Sequence, residues 1–418
     1  MTDLRAEASR LFQAALKAAD PAGALRAAWA ENPPEVPVKN GRYILVAVGK
    51  AAIPMAEEAL RLLRPAPVTA LVVTNYENAR PVAGATVMAS GHPVPDENGE
   101  KAGLAVADLL SGATADDRVI ALISGGGSAL LPAPAPGLTL ADKAAVNRLL
   151  LANGYEITEI NLIRQQLSRL KGGGMLRLAA PARVNAFILS DVIGDDLRTI
   201  ASGPTVAPLG SRADARRLLE QRGVWPQLPQ AVRAHLGAPE ADKAALPAAR
   251  NLLIGSNRKS LEAIEKAVEG MNATIISDRL TGDVGDAANA ILQAAKAAPQ
   301  DAPQCLIFGG ETTVTLRGKG LGGRNQELAL RLALAAPGVL SRPWAFLSGG
   351  TDGRDGPTEA AGGLVDSGSA ARMRAAGADP DALLADNDSN RALAASGDLL
   401  VVGATGTNVA DVQIMLLG

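Results

Sequence analysis

The run Val119-Ile-Ala-Leu-Ile123 holds no polar residue and ends abruptly in Ser124-Gly-Gly-Gly-Ser128. An unbroken apolar stretch of that length suits a strand buried on both faces of a parallel sheet. Three consecutive glycines let successive backbone N–H groups turn into one concavity, a nest for an anion. A helix starting behind them would add its positive end. At one position alone, a tight turn where sheet and helix pack closely reads the same way. The grammar recurs, however. Tyr43–Val48 leads into Gly49-Lys50, residues 184–189 into Ser190-Asp191, Cys305-Leu-Ile-Phe308 into Gly309-Gly-Glu311, and Ala345-Phe-Leu347 into Ser348-Gly-Gly-Thr-Asp352. Strands that alternate with helices and end in polar, glycine-rich loops confine the chain to an α/β fold. Such folds place their chemistry at the carboxyl ends of the strands.

At 418 residues the chain has room for two domains, and the boundary is expected near residue 240, giving 1–240 and 241–418. A 47% hydrophobic and 20% charged composition is that of a soluble globular protein. Net charge is -2, so no global field draws the chain to nucleic acid or to anionic lipid. Aromatics make up only 2%, too few for stacking platforms on single-stranded nucleic acid. Cys305 is the only cysteine and lies in an apolar run, as a buried core thiol would. No disulfide within the chain can form, which suits a reducing compartment. The start, Met-Thr-Asp-Leu-Arg-Ala-Glu-Ala, has no signal-peptide core, and no apolar run approaches the ~20 residues of a membrane span. A cytoplasmic location is expected.

The pattern predicts an amphipathic helix over 3–19, a Pro-rich turn, and then strands at 43–48, 68–74, 86–89 and 119–123 with helices between them. Thr139-Leu-Ala-Asp142 reads as a capped helix start, and a long helix carrying Arg164 is expected over 157–170, stopped by Lys171-Gly-Gly-Gly174. Residues 211–250 hold two short helices and several prolines. The alternation then restarts with strands at 251–255 and 273–277. Residues 305–308 and 312–316 read as two strands flanking Gly309-Gly-Glu311, the second with the alternation of an antiparallel strand. A helix follows to about residue 336, then the strand at 345–347, two helices and a closing pair of strands at 399–402 and 412–416.

Several chemistries are excluded. One Cys and two separated His give no zinc-ligand spacing. GxSxG is absent, and nothing around His92 or His235 suggests a triad; His235 reads as structural. Walker A fails, since Gly49-Lys50 has Ile44 where its first glycine belongs and Ala51 where Ser or Thr belongs. Gly318-Lys-Gly320-Leu-Gly-Gly323 matches GxGxxG literally, but its strand alternates with polar residues. The acidic ribose partner expected ~20 residues on falls where the chain has Pro343 and Trp344.

What remains is a set of strand-end loops bearing cations (Lys50, Lys171, Arg324) and carboxylates (Asp191, Asp283, Glu311, Asp352, Asp355, Glu359). Glycine nests for phosphate, cations for transferred charge and carboxylates for a metal or a base are what phosphoryl transfer asks for. Any one of these charges could be a solvated surface residue. Lys50 stands apart because it opens a helix, where a cation faces the positive end of the dipole.

In this order the motifs resemble the class II glycerate kinases, the glycerate 2-kinase type with a C-terminal MOFRL region. The matching residues are Val48-Gly-Lys-Ala51, Gly91-His-Pro-Val-Pro-Asp96, Ser124-Gly-Gly-Gly-Ser128, Asn161 through Arg164 to Leu167-Ser-Arg-Leu-Lys-Gly-Gly173, Ser190-Asp-Val192 and Ser202-Gly-Pro-Thr205. They continue through Gly310-Glu-Thr312, Gly323-Arg-Asn-Gln-Glu327, Ser348-Gly-Gly-Thr-Asp-Gly353, Asp355-Gly-Pro-Thr358 and Thr405-Gly-Thr-Asn408. The resemblance covers nearly the whole chain. It implies two α/β domains, the N-terminal one Rossmann-like with a largely parallel sheet and the C-terminal one with a mixed sheet. The MOFRL region would span about 300–415, with the active site in the interdomain cleft. It implies ATP-dependent phosphorylation of D-glycerate at its 2-hydroxyl with Mg²⁺ or another divalent cation, and matches Lys50, Asp191 and Arg324 to catalytic positions. On that reading Ser124, Gly125, Gly126, Gly127 and Ser128 with Lys50 hold phosphate oxygens, and Arg164 or Lys171 holds the glycerate carboxylate. Glu311 and Asn325 belong to the substrate or nucleotide site, and Asp352 with Asp355 or Glu359 holds the metal. An NAD(P)H-dependent hydroxypyruvate reductase and a non-catalytic sensor of a phosphorylated metabolite are the alternatives. The small-molecule partner is the acid itself, with no nucleic acid and no membrane, and a homo-oligomer is left open.

Overall fold

The computed structural model describes residues 3–240 and 245–418. They form two compact units, one of Ala24–Ile254, the other of Met1–Gly23 together with Gly255–Gly418.

The first unit is built on β1 (Tyr43–Val48), β2 (Val68–Asn75), β3 (Thr86–Ser90), β4 (Arg118–Ile123), β5 (Arg183–Leu189) and β6 (Ala249–Gly255), in the order β3-β2-β1-β4-β5-β6. β1 to β5 are parallel, with Tyr43 opposite both Val68 and Arg118 and Val48 opposite both Val73 and Ile123. Every residue of β1 and β4 is buried, as their unbroken apolar runs require. Ile44, Val46 and Val48 share one face with Val119, Ala121 and Ile123 and with Val184, Ala186 and Ile188. That face packs on Ala102, Val106 and Leu110 of the helix Glu97–Ser111 and on Met175, Leu176 and Ala179 of the helix Gly174–Ala179. A separate helical core gathers Val146, Leu150, Ile160, Ile163, Leu219 and Leu236. It seats the helices Leu140–Ala152 and Ile157–Gln166.

The second unit holds β7 (Asn272–Asp283), β8 (Gln304–Thr313), β9 (Trp344–Gly350), β10 (Gly362–Asp366), β11 (Leu399–Leu400) and β12 (Asp411–Leu417), in the order β11-β10-β9-β12-β8-β7. Only β7 and β8 run parallel, so this sheet is mixed. The helices Val284–Ala297 and Arg324–Ala335 cover one face. The helices Leu4–Ala18 and Asn257–Ala267 cover the other, through Leu11 and Phe12 packed with Leu261, Ile307 and Leu347. The first helix therefore joins the second sheet although the 231 residues of Ala24–Ile254 separate it from the rest of that unit in sequence. Its apolar stripe is satisfied by whichever sheet face is open, a choice that periodicity does not encode.

Four local expectations are corrected. Residues following the first helix form a helix, Pro21–Glu31, rather than a Pro-rich turn; Pro21 sits at its first position, where a missing N–H is harmless. The helix expected over 157–170 ends at Gln166. The two strands read around Gly309-Gly-Glu311 are one strand, β8, and 314–316 lie outside it. Its glycines are there for close approach: a Cβ at Gly309 would strike Asn257, and one at Gly310, at φ +149°, would strike the Leu280 backbone. Finally, β10 went unpredicted because Gly362-Gly363 looks like a turn. Cys305 is buried as expected, and burial pushes its thiol up to about 12.

Candidate active site

In the sheet order β3-β2-β1-β4-β5-β6 the direction of strand addition reverses between β1 and β4. Ligands of open α/β sheets bind outside the carboxyl ends of the strands at such a reversal. Lys50 follows β1 there, and Ser124–Ser128 follows β4. The two loops are fastened together. Lys50 N–H donates to Gly125 O at 2.9 Å, Ala51 N–H donates to Ser124 Oγ at 3.1 Å, and Ser124 Oγ donates to Val48 O at 3.3 Å. Ser124 is thus a structural clasp, 1% exposed, rather than a phosphate contact. Gly126 adopts φ +83° and a short helical turn begins at Gly127. Among the described residues no hydrogen bond engages the N–H groups of Gly125 and Gly126, which leaves two donors for an anion.

Other groups converge on this nest. A Cβ at Gly125 would collide with the Asp191 carboxylate, so Asp191, delivered by β5, lies directly against the loop. A Cβ at Gly126 would lie 3.1 Å from His92 Nε2 and 3.4 Å from Lys50 Cγ. Burial, then the charge of Lys50, pulls the His92 imidazole below its ordinary value, partly offset by Glu77. Burial and the Lys50 charge both favour the neutral imidazole. His235 pairs with Gln166 O at 2.9 Å, a structural contact as expected.

Next to the nest opens a cavity of about 500 Å³, within the range of small-molecule sites, whose lining includes His92, Gly126, Ser128, Lys143, Asn147, Arg148, Arg164 and Lys171. Among the described residues no Asp or Glu lines it. Lys171 is 5% exposed and donates to Ser128 O and Ser128 Oγ, both at 2.7 Å. Ser128 Oγ meets Ser202 Oγ at 2.9 Å, and Ser202 Oγ donates to Asn161 Oδ1 at 2.8 Å. Gly172 and Gly173 bond backbone to backbone with Ser202 and Gly203. The Lys-Gly-Gly and Ser-Gly-Pro-Thr motifs are one fastened structure that aims Lys171 at the glycine loop. Arg164 donates through Nε to Asn147 Oδ1 at 3.1 Å and through Nη2 to the same atom. Burial lowers Lys171 and Arg164 from their ordinary values, and for Lys171 the charges of Lys143 and Arg164 add to it.

In the second unit, Arg324 opens the helix Arg324–Ala335. Its Nε and Nη2 donate to the Asp411 carboxylate at 2.6 and 3.0 Å, and its Nη1 lies 2.7 Å from Glu311 Oε1. Burial works against the guanidinium's charge, but Asp411 and Glu311 outweigh it and hold Arg324 above the usual arginine value. Asn325 accepts a hydrogen bond from Ser348 Oγ at 2.6 Å and is 1% exposed, a core residue that braces β9.

Of the carboxylates expected at a metal, Asp355 is taken up by the fold. Asp355 accepts from Asn325 N at 3.1 Å and from Gln326 N and Nε2 at 2.8 and 3.0 Å, so its two oxygens cap the helix that Arg324 opens. Asp352 Oδ1 accepts from Arg354 N at 3.0 Å, and Glu359 has no part in either contact. Among the described residues no three His, Cys, Asp or Glu side chains group around one point. Asp355 is thus committed to the helix amides, which leaves Asp352 and Glu359 as the carboxylates not held by that cap. Asp355→Ala should lower stability by ~1–3 kcal/mol, the cost of leaving buried donors unpaired. It should leave unchanged the Mg²⁺ concentration for half-maximal activity. Thermal denaturation together with a Mg²⁺ titration checks both, and a shifted Mg²⁺ requirement with normal stability would restore Asp355 as a ligand.

The GxGxxG match fails on its amides. Arg317 N and Gly318 N donate to Asn387 Oδ1, Lys319 N to Asp386 Oδ1, Gly320 N to Asp386 O and Leu321 N to Asp388 Oδ1. A dinucleotide loop must offer those N–H groups to a pyrophosphate, and here they hold down the segment 386–388. Two residues escaped the sequence reading. Asp411 looks like the polar start of an apolar strand. Lys143 looks like an ordinary lysine behind the capping box of Thr139 and Asp142. It sits, however, at the fourth position of its helix, near the positive end of the dipole where a cation is unfavourable.

Residues 7–237 match the model of a domain of unknown function, DUF4147, and residues 304–411 match the MOFRL family. The D-glycerate 2-kinase of Thermotoga maritima is 40% identical over 390 residues, 90% of this chain and 91% of that protein. The glycerate 2-kinase of Pyrococcus horikoshii is 38% identical over 99% of this chain and 98% of its own. An Agrobacterium vitis protein with a provisional hydroxypyruvate reductase name is 42% identical over 98% and 93% of the two chains. The crystal structure of a glycerate kinase from Thermotoga maritima superposes with a TM-score of 0.90 at 38% identity, covering 99% of each chain. The chain belongs to the class II glycerate kinase family, a DUF4147 domain followed by a MOFRL region.

Proposed function

We propose that this protein transfers the γ-phosphoryl group of ATP to the 2-hydroxyl of D-glycerate. One observation carries the reading: among the described residues, two unpartnered amides and Lys50 lie at the reversal of the parallel sheet, beside a cavity lined by cations and no carboxylate. Such a surface receives two anions, a phosphate chain and an organic acid. Gly125 and Gly126 N–H with Lys50 hold phosphate oxygens. Arg164 and Lys171 hold the glycerate carboxylate. Asp191, packed on the nest, accepts the hydroxyl proton as the glycerate oxygen bonds to the γ-phosphorus and the bond to the ADP oxygen breaks. Arg324 takes up charge on the transferring group, and Glu311 with Asp411 orients it. Mg²⁺ in such reactions keeps water and phosphate ligands and needs one or two carboxylates at most, so Asp352 and Glu359 are the candidates that remain.

The names of relatives point to two activities, and the consumed amides of 317–321 favour the kinase over the reductase. The purified protein with ATP, Mg²⁺ and D-glycerate should release ADP only when glycerate is present, with 2-phosphoglycerate identified by NMR. NADH oxidation by hydroxypyruvate without glycerate-dependent ADP would overturn the reading. The experiment also separates the kinase from a phosphometabolite sensor, which would turn over neither mixture. Among the described residues no helix is long and apolar enough to cross a membrane.

A further inference from the structure

Lys143 stands where the assigned roles leave a gap. It projects from the helix Leu140–Ala152 one turn before Asn147, which accepts from Arg164, and it lines the same cavity as Arg164 and Lys171. Its Nζ donates to Leu167 O at 3.1 Å, the last carbonyl region of the helix that carries Arg164. Three cations from three segments thus face one space. Among the described residues none of the three forms an ion pair with a carboxylate. Charges withdrawn from water without a counter-ion are costly, and one anion shared by all three removes that cost.

We propose that Lys143 completes a three-cation socket, with Arg164 and Lys171, that binds the carboxylate of the acceptor acid and sets the requirement for an anionic acceptor. The inference rests on the kinase reading and deepens it. Lys143 is a specificity-determining residue, since the reacting hydroxyl and the phosphates are handled elsewhere. Val94, Leu140 and Leu151 also line the cavity and bring no polar side chain, so its charged groups are what discriminates. A neutral acceptor of equal size would leave the three cations uncompensated.

The socket has a pH signature. Burial first, then the charge of Arg164, pushes the Lys143 ammonium down to about 7, with Glu100 of the helix Glu97–Ser111 opposing. The other charged or titratable groups that face the cavity are Lys171, Arg148 of the same helix and His92 of the loop after β3, none of them an acid. Arrival of a carboxylate favours the protonated amine, so binding takes up a proton whenever the pH exceeds the free value. Acceptor affinity is therefore full below about pH 7 and is lost as pH rises through it.

The test is the KM for D-glycerate at saturating ATP and Mg²⁺, measured from pH 6.5 to 8.5 in the wild type, Lys143→Met and Lys143→Arg. In the wild type KM should rise by ~tenfold per pH unit above the Lys143 value. Lys143→Met should raise KM by ~30-fold or more at pH 7, far more than it lowers kcat. Lys143→Arg, which keeps the charge without titrating, should lower KM at high pH and flatten its rise relative to wild type, Lys171 being left as the titrating group of the socket. An unchanged KM and an unchanged pH profile in both variants overturn the socket while leaving the kinase reading intact. Absence of any glycerate-dependent ADP from the wild type overturns the kinase reading, and the socket falls with it. If Lys143→Met does not fold, the flattened or unflattened profile of Lys143→Arg decides alone.

Discussion

Lys50→Ala should cut turnover by ~10²–10³-fold, the usual loss for one electrostatic stabiliser of a transition state. The thermal midpoint should barely move. What holds the loop in place is main chain: Lys50 N–H bonded to Gly125 O, Lys50 O accepting from Asn78 Nδ2 at 3.0 Å, and Ala51 N–H bonded to Ser124 Oγ. None of these depends on the ammonium. The side chain lies against Gly126, where the amides without partners are, so its charge is directed at the same anion. A group acting chiefly on the transferring phosphoryl lowers kcat and kcat/KM together, whereas a group that merely binds the nucleotide raises KM alone. Steady-state kinetics with ATP varied at saturating glycerate separates the two. Turnover above about a tenth of wild type would remove Lys50 from the transition state, given the range expected for such groups.

The fold was largely legible because its signal is local. A strand buried on both faces must be apolar throughout, and a phosphate-binding turn needs glycine, so β1, β4 and the loops behind them announce themselves in sequence. Lys50, Asp191 and Ser124–Ser128 could be grouped because each follows such a strand, and the structure brings them against one another. Illegible features are those fixed by partners distant in sequence. Gly309 and Gly310 read as a turn, yet β7 and the Asn257 helix occupy the space a Cβ would need, and the glycines continue a strand. Asp355 has the composition of a metal ligand, and only its distance to the amides of Asn325 and Gln326 shows it to be a helix cap. Lys143 and Arg164 lie 21 positions apart (164 less 143), on two helices whose packing periodicity alone does not set. Asp411 lies 87 positions from Arg324, and a strand-opening aspartate gives no hint of that partner.

That partnership leads to the second large effect. Arg324→Ala should lose ~10²–10³-fold in turnover, like Lys50→Ala, and should in addition lose stability. Asp411 is 1% exposed, and both of its oxygens accept from Arg324. Truncating one member of a buried charged pair leaves the other without compensation. Because the guanidinium is 34% exposed, solvent screens part of the effect, and ~2 kcal/mol is the expected loss. Its pH dependence has a definite sign. Burial pushes the Asp411 carboxyl up to about 6 from its ordinary 3.8 even with Arg324 working in the other direction. The folded state therefore binds the Asp411 proton more tightly than the unfolded state, and stability from this group falls as pH rises through that interval. Without Arg324 the folded value climbs further, so the deficit of the variant should be small at pH 5 and full at pH 8. Adding Asp411→Asn removes the buried charge, and the double variant should regain most of the stability at pH 8 while turnover stays low. Urea denaturation of the two single variants and the double variant at both pH values tests the coupling. A deficit that does not change between pH 5 and 8, or one that Asp411→Asn fails to relieve, would place the role of Arg324 in packing. If turnover recovered along with stability in the double variant, the guanidinium would matter only as the counter-ion of Asp411, and the charge on the transferring phosphoryl group would have to be met by Lys50 and the nest.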